Sequence, residues 1–366
     1  MKLFLTFFLS MASILTFGQS KRADFTLEDI YLTGKTYPKG VYGIRHGKGG
    51  KYYTVSEQGK VYKCAYTSES RSVLFDSEEA KSKGLASPMQ SYEIANSGNQ
   101  LLIGTETEKV YRHSKKCAYY IWNFTSKKLT KVFDGKKVFY ATFSPDESQM
   151  AFVFENNLYV QDLATEKVTQ ITKDGVQNAI INGMTDWVYE EEFALIRAFE
   201  WSPDGKHLAF LRFDESQVKE YQIPVYKKGS YPSMYTYKYP KAGEDNSVLT
   251  LKIIDLGSNK ISTVNIGTET DIYIPRMQWI NASELSFQKL NRWQNDFSLN
   301  KVNVASTTKT DVIYQEKSDA YVDVTDDLTF IDGGKKFIIS SEKSGYNHLY
   351  LYNINGKLEY QLTKGN

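Results

Sequence analysis

Met150-Ala151-Phe152-Val153-Phe154, a turn at Glu155-Asn156-Asn157, then Leu158-Tyr159-Val160-Gln161-Asp162: this stretch decides the fold. Two apolar runs of strand length, joined by a short polar turn, read as an antiparallel hairpin. Ser144-Pro145-Asp146-Glu147 leads into it, and Lys167-Val168-Thr169-Gln170-Ile171 supplies one more strand after it. The same order recurs along the chain. His46-Gly47-Lys48-Gly49-Gly50 precedes Tyr52, Asn96-Ser97-Gly98-Asn99 precedes Leu101, and Ser202-Pro203-Asp204-Gly205 precedes Leu208. Asn281-Ala282-Ser283 precedes Leu285, and Asp332-Gly333-Gly334 precedes Phe337. The anchors 52, 101, 150, 208, 285 and 337 stand 49, 49, 58, 77 and 52 positions apart.

Four short antiparallel strands in a unit of about fifty residues predict an all-β chain, a β-propeller built of such blades. One blade cannot bury both its faces, so blades must stack on one another. The two long spacings mark insertions, at 173–199 and at 213–248. The first contains Asp186-Trp187-Val188-Tyr189-Glu190-Glu191-Glu192-Phe193, where Thr185 or Asp186 can cap a short helix. The second is a Tyr/Pro/Lys-rich arm, Tyr226 to Tyr239 and then Pro240-Lys241-Ala242-Gly243, which read alone is a long loop.

Composition narrows the function classes. Lys+Arg 45 against Asp+Glu 43 gives a formal net charge of +2 with the signs interspersed, so no nucleic-acid groove is expected. Tyr 27 and Phe 20 are counts that suit half-buried strands. Lys2, an apolar run from Leu3 to Phe17 and Gly18-Gln19 form a signal peptide over 1–18, which implies export to the periplasm or the extracellular space. An uncleaved membrane anchor is the less favoured alternative. Cys64 and Cys117 build no disulfide framework and no zinc spacing; they either pair or stay buried as free thiols.

The acidic run is the chemically unusual motif. Taken alone, Glu190-Glu191-Glu192 is a solvated helical turn held down by Trp187 and Phe193. However, the whole string from Asp186 to Phe193, followed by Trp201-Ser202-Pro203-Asp204-Gly205, resembles the propeller of the dipeptidyl peptidase IV family of serine peptidases. The resemblance implies that Glu191 and Glu192 anchor the free amino terminus of a peptide substrate. Glu190 matches the preceding Glu and carries no ligand role. Arg112, in Arg112-His113-Ser114, resembles the arginine that contacts a carbonyl of the bound dipeptide; read alone it is a surface strand arginine, and His113 is structural. These residue types suit such a ligand, because carboxylates accept charge-assisted hydrogen bonds from an ammonium and a guanidinium fork holds acceptors in fixed geometry.

No catalytic residue, metal site or cofactor is expected in the chain itself. It has no G-x-S-x-G elbow, no H-E-x-x-H, no P-loop and only four histidines. The resembled family carries its Ser, Asp and His in an α/β-hydrolase domain after the propeller. On that pattern this chain reaches the sixth of eight blades at Asn366 and is inactive alone. Segment 19–40 would lead into the propeller, 41–366, and pack on the hydrolase domain; the 225–247 arm would join two subunits as a homodimer. One departure stands out. The family's aromatic and arginine before the sixth blade are missing from Tyr321-Val322-Asp323-Val324-Thr325-Asp326-Asp327.

Two functional classes follow. The first is the substrate-gating propeller of an exported dipeptidyl peptidase that removes X-Pro or X-Ala dipeptides, with a prolyl tripeptidyl peptidase as its near variant. The second is a free-standing secreted propeller that binds peptides or proteins without catalysis. Six blades of an eight-blade design leave strand edges open, which argues against the second.

Overall fold

The computed structural model describes residues 25–365 apart from 39, 41–42, 228 and 325. The expected signal peptide, 1–18, lies outside the described residues. Two compact units divide between Arg45 and His46. In the small unit, helix α1 (Leu27–Tyr31) is set by a capping box: Asp29 N–H donates to Thr26 Oγ1 at 3.0 Å, and Thr26 N–H to Asp29 Oδ2 at 3.3 Å. It buries none of its residues.

The large unit is mostly β, as the repeat predicts. The first copy pairs Tyr52–Glu57, Lys60–Ala65 and Arg71–Asp76, with a short helix α2 (Ser77–Lys81) after it. Ser91–Ile94, Gln100–Lys109, Lys115–Asn123 and Leu129–Lys131 form the second copy, and Lys137–Phe143, Gln149–Phe154, Asn157–Asp162 and Val168–Gln170 the third. The hairpin of the third copy pairs Phe152 with Tyr159 and Phe154 with Asn157. Glu155 and Asn156, with φ of 46° and 59°, make the tight two-residue turn whose twist matches that of the strands.

In the fourth copy, Ile180–Asn182 and Phe199–Trp201 both pair with His207–Asp214, followed by Val248–Asp255 and Lys260–Thr263. The fifth has Glu284–Asn291, Asp296–Asn303 and Thr310–Lys317, and the sixth Thr329–Ile331, Lys336–Ser341, His348–Asn353 and Leu358–Gln361. All six anchor positions lie on strands.

Strand alternation explains how the sheets stack. Successive side chains on a strand point to opposite faces. Leu101 and Ile103 pack with Val61 and Phe75 of the first copy, whereas Leu102 packs with Met150 and Phe152 of the third. Ala151 and Val153 turn the other way, onto Phe199, Leu208 and Phe210 of the fourth. Ala209 and Leu211 then join the large cluster with Leu285, Phe287 and Phe337. Each central strand is therefore apolar on both faces, and consecutive copies share a core.

Two features differ from the expectation of one separate four-stranded sheet per copy. The second and third copies share one eight-stranded sheet. Lys115–Asn123 has nine residues, and Leu129–Lys131 covers only its Tyr120–Trp122 end. The uncovered Lys116–Ala118 end pairs with Lys137–Phe139 after the chain reverses through Phe133, Asp134 and Gly135, all at positive φ. An open strand edge is satisfied by the nearest strand. The arm, secondly, is no simple loop. Glu220–Val225 and Ser233–Lys238 pair over their whole length, and Tyr235 stacks near Tyr237 at 5.5 Å. Cys64 and Cys117 are both free and buried.

Phe152 is fully buried in the core shared by the second and third copies and stacks on Tyr159 of its own hairpin at 5.7 Å. Phe152→Ala should cost about 3–5 kcal/mol of stability by denaturant titration, with little change in the slope.

Candidate functional site

Helix α3 (Trp187–Phe193) interrupts the first strand of the fourth copy. Asp186, rather than Thr185, is its N-cap: Oδ1 accepts the Tyr189 N–H at 3.0 Å. Asp186 Oδ2 accepts from Ser247 Oγ at 2.6 Å, and burial raises its pKa. Thr185 closes the insertion instead, its Oγ1 donating to the Leu195 carbonyl at 2.7 Å. The helix ends where Ala194 turns left-handed at φ 50°. Val188, Tyr189 and Phe193 face inward, and Tyr189 Oη accepts the Ile274 N–H at 2.8 Å, tying the helix to the fifth copy. The Tyr189 ring meets Phe213 at 4.9 Å and Phe193 at 5.2 Å.

Consecutive helical residues are rotated by about 100°, so three adjacent glutamates point three ways. Glu190 points in and is 1% exposed. Its Oε1 accepts two backbone N–H groups of the 111–114 turn, from His113 at 2.5 Å and Ser114 at 2.8 Å. Glu191 lies at the rim, and its Oε2 meets Arg112 Nε at 2.8 Å. Glu192 is exposed, and among the described residues its carboxylate makes no hydrogen bond or ion pair. Thus Arg112 and Glu191 come together, Glu192 follows on the same helix, and Glu190 is the residue that sets Arg112 beside Glu191. The motif alone contained that signal: three adjacent helical positions cannot all face solvent when aromatics bracket them.

The surroundings are aromatic. Tyr111 packs on Tyr237 of the arm at 5.7 Å, and Trp187 on Tyr239 at 4.3 Å. Burial raises the Tyr321 hydroxyl's pKa, with Asp323 and then Glu192 adding to it, so Tyr321 lies within electrostatic reach of Glu192. The 321–327 stretch has no arginine of its own, yet Arg276 Nε reaches Asp326 at 2.5 Å from the fifth copy. Glu215, just before the arm, is 5% exposed. Burial pushes its pKa up to about 7; Asp186 and Asp214 add to this and Lys238 opposes it. Among the described residues no His/Cys/Asp/Glu group could hold a metal ion, and no helix is long and apolar enough to cross a membrane.

Known proteins share this sequence pattern and fold. The sequence profile of the dipeptidyl peptidase IV (DPP IV) N-terminal region matches residues 95–366. The chain is 32% identical over 280 residues to the dipeptidyl peptidase 4 of Trichophyton tonsurans, covering 72% of this chain and 36% of that protein. It is 29% identical over 337 residues to the dipeptidyl peptidase 4 of Arthroderma otae, covering 88% of this chain and 42% of that protein. The crystal structure of Porphyromonas gingivalis dipeptidyl peptidase 4 superposes with a TM-score of 0.87 at 36% identity, covering 93% of this chain and 49% of the other. The chain therefore spans less than half the length of each of these relatives.

Two outcomes test the electrostatics. Glu190→Ala leaves two N–H groups of the Arg112 turn without their acceptor and should cost about 3 kcal/mol by chemical denaturation. For Glu215, a folded-state pKa above the ordinary carboxylate value means the native state binds the extra proton. Stability should therefore fall as pH rises from about 4.5 through 7, and Glu215→Gln should lessen that fall by about 1–3 kcal/mol in melts taken at pH 5 and pH 8.

Proposed function

The chain belongs to the dipeptidyl peptidase IV family, matching its amino-terminal region, and on that premise we propose that it is the substrate-gating propeller of an exported serine exopeptidase that removes X-Pro or X-Ala dipeptides. The observation that carries the reading is the Arg112–Glu191 pair at 2.8 Å, with the unpaired Glu192 beside it on the same short helix. In this reading Glu191 and Glu192 accept from the substrate's α-ammonium and Arg112 holds a carbonyl of the bound dipeptide. The six sheet copies are six blades of eight, and the hydrolase domain that supplies Ser, Asp and His follows in the full-length protein. The arm is the dimer contact, and the signal peptide directs export.

The specificity follows from length and charge. A residue spans at most about 3.3–3.6 Å, so an ammonium clamp roughly 7 Å from a nucleophile leaves room for two residues. A blocked or internal amine would leave Glu192 without a donor and Glu191 with Arg112 alone, and each charged hydrogen bond contributes roughly 1.5–3 kcal/mol. Glu191 is already held by Arg112, so its geometry is set before substrate arrives and little ordering remains to be done on binding. Arg112 stays largely exposed and keeps its outer N–H groups for a ligand.

In the full-length protein, Glu191→Ala or Glu192→Ala should lower kcat/KM on an unblocked X-Pro substrate by about 10²-fold or more while leaving the melting temperature close to wild type. Unchanged turnover in both variants would sink the clamp. An N-acetylated substrate should be equally resistant in wild type and variants.

A further inference from the structure

A cavity of about 750 Å³ opens at the base of the arm, on the amino-terminal side of α3. Trp187, Tyr111 and Tyr235 wall it, and Glu215 and Asp186 lie on its lining; Arg112, Glu191 and Glu192 do not. Asp186 is satisfied by Ser247 and by its own helix. Glu215 differs: it is 5% exposed, and among the described residues its carboxylate makes no hydrogen bond or ion pair. Its oxygens keep contact with solvent, and a mostly buried carboxylate of this kind can exchange that solvent for a ligand's donor.

Other charges on the lining are distributed unevenly. Glu108 is taken by Lys116 at 2.9 Å and Lys137 at 3.7 Å. Lys109 and Lys136 are exposed and have no carboxylate partner among the described residues, although Lys136 lies over the Phe133 ring at 4.7 Å. Glu155 is also exposed there. The cavity therefore offers a buried acceptor carboxylate, aromatic walls and two unneutralised ammonium groups among its exposed residues.

We propose that this cavity is a second peptide-binding site, separate from the amino-terminal clamp, which takes a short zwitterionic peptide with its ammonium against Glu215 and its carboxylate toward Lys109 and Lys136. Aromatic side chains beside a bound ammonium add cation–π attraction, and the volume is ample for a dipeptide. The groups that face Glu215 are Asp186 from the α3 cap, Asp214 on its own strand end, Lys238 from the arm and Tyr111 from the facing turn. Binding requires ionised Glu215 and a protonated amine. With Glu215 titrating at about 7, affinity should be roughly twentyfold weaker at pH 5.5 than at pH 7.5.

The test uses glycyl-4-fluorophenylalanine and ¹⁹F NMR on the full-length protein carrying Glu191→Gln and Glu192→Gln, so the clamp cannot account for binding. A saturable shift at pH 7.5 that weakens at pH 5.5 is the expected result. Adding Glu215→Gln should abolish it, and adding Lys109→Ala with Lys136→Ala, both at exposed positions, should weaken it severalfold. No saturable binding at pH 7.5, or binding unchanged by both sets of variants, overturns the site. The clamp itself stands or falls on turnover in the single Glu variants, so the two proposals fail separately.

Discussion

The Glu190 carboxylate, buried and accepting two backbone N–H groups from another copy's turn, is the interaction on which the site depends. Ionised carboxylates are strong acceptors, and such a bond across two sheet copies fixes position as well as energy. It brings the 111–114 turn to α3 and thereby brings Arg112 within 2.8 Å of Glu191. Without it, an exposed arginine and a rim glutamate on separate elements would have no reason to hold one geometry, because exposed ion pairs alone contribute little. The buried member of the run thus supports its more exposed neighbours.

Behind that contact stands the frame. Helix α3 is only seven residues long, too short to be stable by itself. It persists because Asp186 caps it, Thr185 ties its two ends together, and Tyr189 and Phe193 enter the large core. The same core collects residues from the fourth, fifth and sixth copies. The site therefore rests on inter-sheet packing, and its precision follows from the rigidity of close-packed interiors.

Much of this was legible in the sequence. The anchors from Tyr52 to Phe337 revealed the repeat, since period-2 apolar runs between polar turns leave few other readings. Glu191, Glu192 and Arg112 could be picked out through the resemblance that the Asp186–Phe193 string carries, and the structure pairs Arg112 with Glu191. What stayed hidden depends on contacts distant in sequence. The pairing of Lys116–Ala118 with Lys137–Phe139 arises from unequal strand lengths. The docking of Glu190 onto His113 and Ser114 joins positions 77 and 76 residues apart. Glu215 reads as an ordinary polar residue before a loop, and only the packing of the arm makes it a buried acid.

The shared eight-stranded sheet has a mechanical consequence. In a linear array of repeats, opening propagates most easily where neighbours are coupled least. The second and third copies are coupled by backbone hydrogen bonds as well as by side-chain packing, so they should exchange amide protons and open as one cooperative block. Arg112 rides on the turn between Gln100–Lys109 and Lys115–Asn123, inside that block, whereas Glu191 and Glu192 belong to the fourth copy, in a different sheet. The seam between the third and fourth copies therefore lies between Arg112 and α3, and it is crossed by the Asn182 N–H bond to the Asn156 carbonyl at 3.0 Å as well as by the bonds from Glu190, which reach from the fourth copy to the second.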